Sequence, residues 1–121
     1  MKHRHGNRIL GRTTKHREAL LKSLTSDLLR HGSIITTEAK GKELRRFFEP
    51  LVTEAKKELT LHRRRLLLEQ LREQEDLARL QAVAQSNQAR PGGYLRLTKL
   101  PVTRNDAAQT VRIDILSSTP A

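Results

Sequence analysis

Residues 37–57 read TEAKGKELRRFFEPLVTEAKK, and the reading of this stretch decides the fold. Leu44, Phe47, Phe48, Leu51, Val52 and Ala55 recur at i, i+3, i+4 and i+7 spacing, the signature of one buried helix face. Thr37 stands where an N-cap belongs, Glu38 supplies an acid at the start, and Lys56 and Lys57 supply cations at the end. The pattern predicts a helix from Glu38 to about Lys57. Pro50 lies inside it and removes a hydrogen bond, yet the apolar stripe continues in phase beyond, so a kink is expected and not a stop. Gly41 should weaken the first half by about 1 kcal/mol relative to Ala.

Towards the N-terminus, a helix is expected from about Lys15 to His31, capped by Thr13 or Thr14 and stopped at Gly32. Leu20, Leu21, Leu24 and Leu28 form its apolar stripe, with Lys22, Ser26 and Arg30 outside it. The β-branched run Ser33–Thr37 reads as a short strand. Towards the C-terminus, residues 61–89 are helical in composition, but the apolar phase slips between Leu71 and Leu77, across Glu73–Asp76. Two helices with a break are expected there, one long helix being the alternative; no heptad pattern is sustained. Arg90-Pro91-Gly92-Gly93 ends the helical region. Tyr94–Leu100 and Thr110–Leu116 then read as two strands, with Val111, Ile113 and Ile115 alternating with Arg112 and Asp114. Pro101 and Asn105-Asp106 in the connection suggest an antiparallel hairpin. The fold class is therefore α+β: about four helices packed on a small three-stranded sheet, with an extended basic N-terminal arm. The expected division is a basic arm at 1–14, a single α/β domain at 15–117 and a short tail at 118–121.

Charge narrows the function. The 121 residues carry 24 Lys and Arg against 13 Asp and Glu, a net charge of +11, which points to a polyanionic partner. No apolar run approaches the roughly 18 residues of a membrane-spanning helix, and two Phe and one Tyr leave little for interfacial anchoring. There is no cysteine, which excludes disulfides and thiolate metal sites. The start lacks the apolar region of a secretory signal. Of the five histidines, His3, His5, His16, His31 and His62, none belongs to a metal-ligand pattern, and the first pair is embedded among cations that oppose a divalent ion. No nucleophile elbow, isolated carboxylate pair or phosphate-binding loop is present, so neither catalysis nor a small-molecule substrate or cofactor is expected.

Nucleic acid fits. From Met1 to Arg17 the cations Lys2, Arg4, Arg8, Arg12, Lys15 and Arg17 occur with no acid before Glu18, and almost nothing apolar could build a core. Such a segment should order only against a polyanion, although a solubilising tail has the same composition. Arg63-Arg64-Arg65 is a second cluster near a helix start, where cations oppose the dipole; phosphates alongside, or a plain surface cluster, both explain it. Lys40, Lys42, Arg45 and Arg46 are interleaved with Glu38, Glu43 and Glu49 and read as a solvated face. Pairs such as Glu38 with Lys42 and Glu69 with Arg72 agree with that. Phe47 and Phe48 belong to a core stripe, so base stacking on aromatics is not expected, and recognition should run through phosphates and RNA shape.

The same residues carry a family resemblance. Met1-Lys2-His3-Arg4, Leu10-Gly11-Arg12 and His16-Arg17-x-Ala19-Leu20-Leu21 open it; Thr36-Thr37-x-Ala39-Lys40, Lys42-Glu43-Leu44-Arg45, Glu49-Pro50-Leu51 and Ala55-Lys56 continue it. Gly92-Gly93-Tyr94-x-Arg96, Lys99-Leu100, Asp106-Ala107-Ala108 and Ile113 close it in order. Together they resemble the bacterial large-subunit ribosomal protein seventeen family. Gly41 departs from that family's usual Ala, Asn105 departs from its usual Gly, and residues from about Leu66 to Ala89 match only in helical character. Because the resemblance starts at Met1, no removable presequence is expected. It implies a non-catalytic structural constituent of the large subunit, binding 23S-type ribosomal RNA near the peptide exit tunnel beside neighbouring ribosomal proteins. No membrane association follows. A cytoplasmic ribosome is expected, rather than an organellar one. The residues expected to contact RNA are Lys2, His3, Arg4, His5, Arg8, Arg12, Lys15, His16, Arg17, Arg63, Arg64, Arg65, Tyr94, Arg96 and Lys99. A nucleoid or DNA-binding protein is the competing class, disfavoured by the lack of a recognition helix with exposed readers at its start.

Overall fold

A computed structural model of the chain describes residues 14–101 and 108–116. The arm cations Lys2, His3, Arg4, His5, Arg8 and Arg12, the Thr13 cap, the Asn105-Asp106 turn and the tail expected at 118–121 lie outside the described residues. The elements follow in the order α1 (Thr14–His31), β1 (Ser33–Thr37), α2 (Glu38–Ala55), α3 (Leu61–Glu69), α4 (Glu75–Ser86), β2 (Leu95–Lys99) and β3 (Thr110–Ile115). The fold is α+β, with helices on an antiparallel three-stranded sheet in the order β1-β3-β2.

Helix α2 is the hub because its stripe is the most apolar: Leu44, Phe48 and Val52 are fully buried and Leu51 nearly so. It packs on α1, α3, α4 and all three strands. Its N-terminus is tied down differently from the expectation. Thr37 is the N-cap, but its side chain makes no capping hydrogen bond; instead the Glu38 N–H donates to the Gln109 carbonyl (2.9 Å), linking the helix to the entry of β3. Pro50 is accommodated inside the helix. The helix ends at Ala55, slightly short of Lys57, with Lys56 as C-cap.

The alternation read in 110–116 sets the sheet. Ile34, Ile113 and Leu97 are in register across the strands, as are Thr36, Val111 and Lys99, and this is the face that α2 covers. The opposite face carries Ser33, Asp114 and Arg96 in one row and Ile35, Arg112 and Thr98 in the next. Gly32, with φ of +80°, stops α1 as expected and turns the chain into β1.

Three expectations need correction. Ser26, placed outside the α1 stripe, is buried, as are Thr25 and Leu29, whereas Leu20 and Leu24 are half-buried. Helix α1 packs against both α2 and α4, so it buries a wider arc than a single contact line would. The break after α3 falls at Gln70–Gln74, not across Asp76, which is buried in the first turn of α4 and accepts from Arg79 (2.9 Å). Arg72 does not pair with Glu69; it donates to Ser23 of α1 (3.0 Å), and Arg30 pairs with Glu73 (2.8 Å).

Asn87 closes the C-terminal half. Fully buried after α4, it donates to the carbonyls of Val83 (2.9 Å) and Leu116 (2.8 Å) and accepts from Arg90 Nε (3.2 Å). Asn87→Ala leaves the Leu116 carbonyl without that donor. A loss of about 2 kcal/mol is expected, read as a lower urea midpoint at unchanged slope.

Candidate nucleic-acid interface

The four helices divide by what stands at their N-termini. Helix α2 begins with Glu38 and α4 with Glu75 and Asp76, acids that complement the positive end of the helix dipole. Helices α1 and α3 have no acid in the first turn; they begin Thr14-Lys15-His16-Arg17 and Leu61-His62-Arg63-Arg64. Each such cation opposes the dipole by roughly 0.3–1 kcal/mol in the free protein. A phosphate alongside reverses the sign, because cation and exposed backbone N–H groups then act on the same anion.

The expected contact residues are distributed over separate elements. Lys15 and His16 are exposed and Arg17 half-buried at the start of α1. In α3, Thr60 is a true side-chain cap, accepting from the Arg63 N–H (3.2 Å). The arginine triplet splits. Arg63 turns back on the protein, donating to the Glu58 carbonyl and pairing with Glu54 (3.6 Å). The Lys57 hydrogen bond, helped by the charges of Lys57 and Arg63, holds the Glu54 carboxyl below its ordinary pKa against the opposing effect of desolvation. Arg64 and Arg65 are exposed and meet no carboxylate among the described residues. On β2, Arg96 is exposed on the uncovered sheet face, while Lys99 points to the other side and pairs with Glu38 (3.4 Å). Among the described residues, no hydrogen bond or ion pair joins Lys15 or Arg17 to the α3 arginines or to Arg96.

Tyr94 needs correcting as an RNA-contact residue. Its side chain is fully buried, so the ring offers no face to a partner. The hydroxyl meets Thr53 Oγ1 (3.2 Å) and Lys56 Nζ (3.1 Å), its backbone N–H donates to Glu49 (2.7 Å), and Lys56 also donates to the Arg90 carbonyl. Burial raises the phenol pKa, but the Thr53 and Lys56 hydrogen bonds and the Lys56 charge outweigh it, and the net shift is downward. Because Tyr94 is the sole tyrosine and there is no tryptophan, phenolate absorbance reports it alone. Its midpoint should fall below the ordinary value near 10, and Lys56→Met should move it upward. With the folded pKa depressed, the associated stability is present above the unfolded pKa of about 10. It disappears as pH falls through the folded midpoint, and it contributes nothing at neutral pH.

Some surface cations escaped the sequence reading. Arg112 lies on the uncovered sheet face near Arg96, held by Asp114 (3.1 Å), and Ile35 beside it is 66% exposed. The signal was available in the alternation, which put Arg112 on the polar side of β3. Among the described residues Lys22 and Arg46 also meet no carboxylate, and Arg46 is exposed on the face read as solvated. Of that face, Lys42 pairs with Glu38 (3.8 Å) and Arg45 with Glu49 (3.9 Å) as expected. Among the described residues no His, Asp and Glu cluster could hold a metal, and no helix is long and apolar enough to cross a membrane.

Helices begun by cations, arginines that meet no carboxylate among the described residues and a small sheet with one uncovered face make a scaffold whose positive charge lies outside the core. The family model of Ribosomal protein L17 matches residues 20–116. The chain is 43% identical over 119 residues to the large ribosomal subunit protein bL17 of Gemmatimonas aurantiaca, covering 98% of this chain and 100% of that one. It is 42% identical over 122 aligned positions to bL17 of Anaeromyxobacter sp. (strain K), covering 100% of this chain and 77% of the relative. This chain belongs to the ribosomal protein L17 family.

Proposed function

We propose that the protein is a structural, non-enzymatic constituent of the large ribosomal subunit that binds 23S-type ribosomal RNA near the peptide exit tunnel. Family membership along the chain is the observation that carries the ribosomal assignment. The division of helix N-termini supports the RNA part, since two of the four favour an anion placed against them. In this reading residues 1–14 form an arm that neutralises closely spaced phosphates and orders on binding. The domain from residue 15 to 117 fixes the arm's position beside neighbouring ribosomal proteins on a cytoplasmic ribosome. Lys2, His3, Arg4, His5, Arg8, Arg12, Lys15, His16, Arg17, Arg64, Arg65, Arg96 and Lys99 supply the contacts, with Arg63 sharing its charge with Glu54.

Competition separates this from DNA binding. Transcribed large-subunit RNA should displace duplex DNA of equal phosphate content at moderate salt. Preferential retention of the duplex would overturn the reading.

A further inference from the structure

A groove of about 370 Å³ opens between α1 and α2, and its walls do not resemble a plain solvated surface. Arg17 and Lys22 line it from α1 and Arg46 from α2, and none of the three pairs with a carboxylate among the described residues. Leu21 and the half-buried Phe47 give it an apolar wall, and Gln70 closes one end. Two acids, Glu18 and Glu43, lie there as well; Glu43 is nearly buried and already has a partner. The walls are held in place: Arg72 bonded to Ser23 and Arg30 paired with Glu73 clamp the linker that carries Gln70 against α1.

We infer that this groove binds one nucleotide of folded RNA with its base turned out of the helix. The three cations meet the flanking phosphates, the half-buried Phe47 lies against the base, Gln70 accepts or donates at base edges, and the Glu18 carboxylate accepts from a base amino group or the ribose 2′-hydroxyl. At about 370 Å³ the groove lies at the small end of small-ligand sites and is far too small for a duplex. The groove also begins one turn after Thr14, so it extends the RNA path from the basic segment onto the folded domain. This inference rests on the RNA-binding reading and assigns it residues that the charge pattern did not: Lys22, Arg46, Phe47 and Gln70. It reverses the expectation that no aromatic side chain takes part in recognition.

The test uses the full chain and transcribed large-subunit RNA as the probe, with affinity measured across salt concentrations. The Arg17→Gln/Lys22→Gln/Arg46→Gln variant should lower the slope of log K against log salt by about 2 to 3, at 0.7 to 0.9 per phosphate lost. Phe47→Leu should weaken binding at least fivefold with the slope unchanged, the size of a lost base–aromatic contact. Thermal unfolding of both variants should match the wild type, which separates binding from folding. If Phe47→Leu alters unfolding, Gln70→Ala replaces it as the non-electrostatic probe and should weaken binding at unchanged slope. Wild-type binding in both variants overturns the groove and leaves the RNA reading standing. A changed slope with no effect of Phe47→Leu or Gln70→Ala also overturns it, because the groove then takes phosphate alone. Failure of the wild-type chain to bind the RNA would instead sink the functional reading itself.

Discussion

Gly41→Leu is expected to destabilise the protein by at least about 3 kcal/mol, one of the larger single-residue effects in the fold. Gly41 is in the first half of α2, over the centre of the sheet. A Cβ built there would stand 2.8 Å from Val111 Cγ2, 3.3 Å from Ile113 Cδ1 and 3.5 Å from Leu97 Cδ2. Val111 is β-branched, stiff and almost fully buried, so it cannot swing aside as the end of a long side chain would. A leucine must therefore push α2 off the sheet or distort β3. At on the order of 4 °C per kcal/mol, the melting temperature should drop by roughly 10 °C or more. The same geometry makes a finer prediction for Gly41→Ala. Helix propensity alone promises a gain of about 1 kcal/mol, but the 2.8 Å approach cancels it, so the melting temperature should stay flat or fall. A full propensity gain in Gly41→Ala would contradict the close packing.

The second large effect concerns binding. Deleting residues 1–12 removes Lys2, Arg4, Arg8 and Arg12 and no residue of the described core. If each of those cations neutralises one phosphate, the salt slope for large-subunit RNA should fall by about 3, and affinity near physiological salt should fall on the order of 10²-fold. The thermal midpoint should not move. The truncated protein should then compete poorly with the full chain for a place in assembling subunits. Equal occupancy in a mixed assembly would show that the arm is a solubilising tail, which its composition alone also allows.

Much of this was legible in the chain, for physical reasons that differ by element. Helix α2 was readable because its hub role demands a continuous apolar stripe, and Pro50 could not mask a pattern that resumed in phase. The strands at 95–99 and 110–115 were readable because one face is covered and the other is not, which forces alternation. The break between α3 and α4 announced itself as a phase slip. By contrast, Ser26 was misplaced because periodicity assumes one contact line, whereas α1 packs against two helices. Gly41 was read as a local weakness, yet its reason is tertiary: the absence of a Cβ admits Val111. Tyr94 follows two glycines and looks exposed in sequence, but Thr53, Lys56 and Glu49 draw it inside from 38 to 45 positions away. No local rule reports contacts at that distance. The triplet Arg63-Arg64-Arg65 shows the same limit: three identical side chains divide between an internal role and an external one, depending on where Glu54 and Glu58 lie.

Attachment of this basic scaffold to the large subunit through RNA phosphates can be measured directly. The most direct measurement follows the full chain through sedimentation of ribosomal subunits before and after salt washing. The chain should co-sediment with large subunits only, survive a moderate wash, and be released progressively as salt rises. Sedimentation away from large subunits, or retention indifferent to salt, would contradict that attachment.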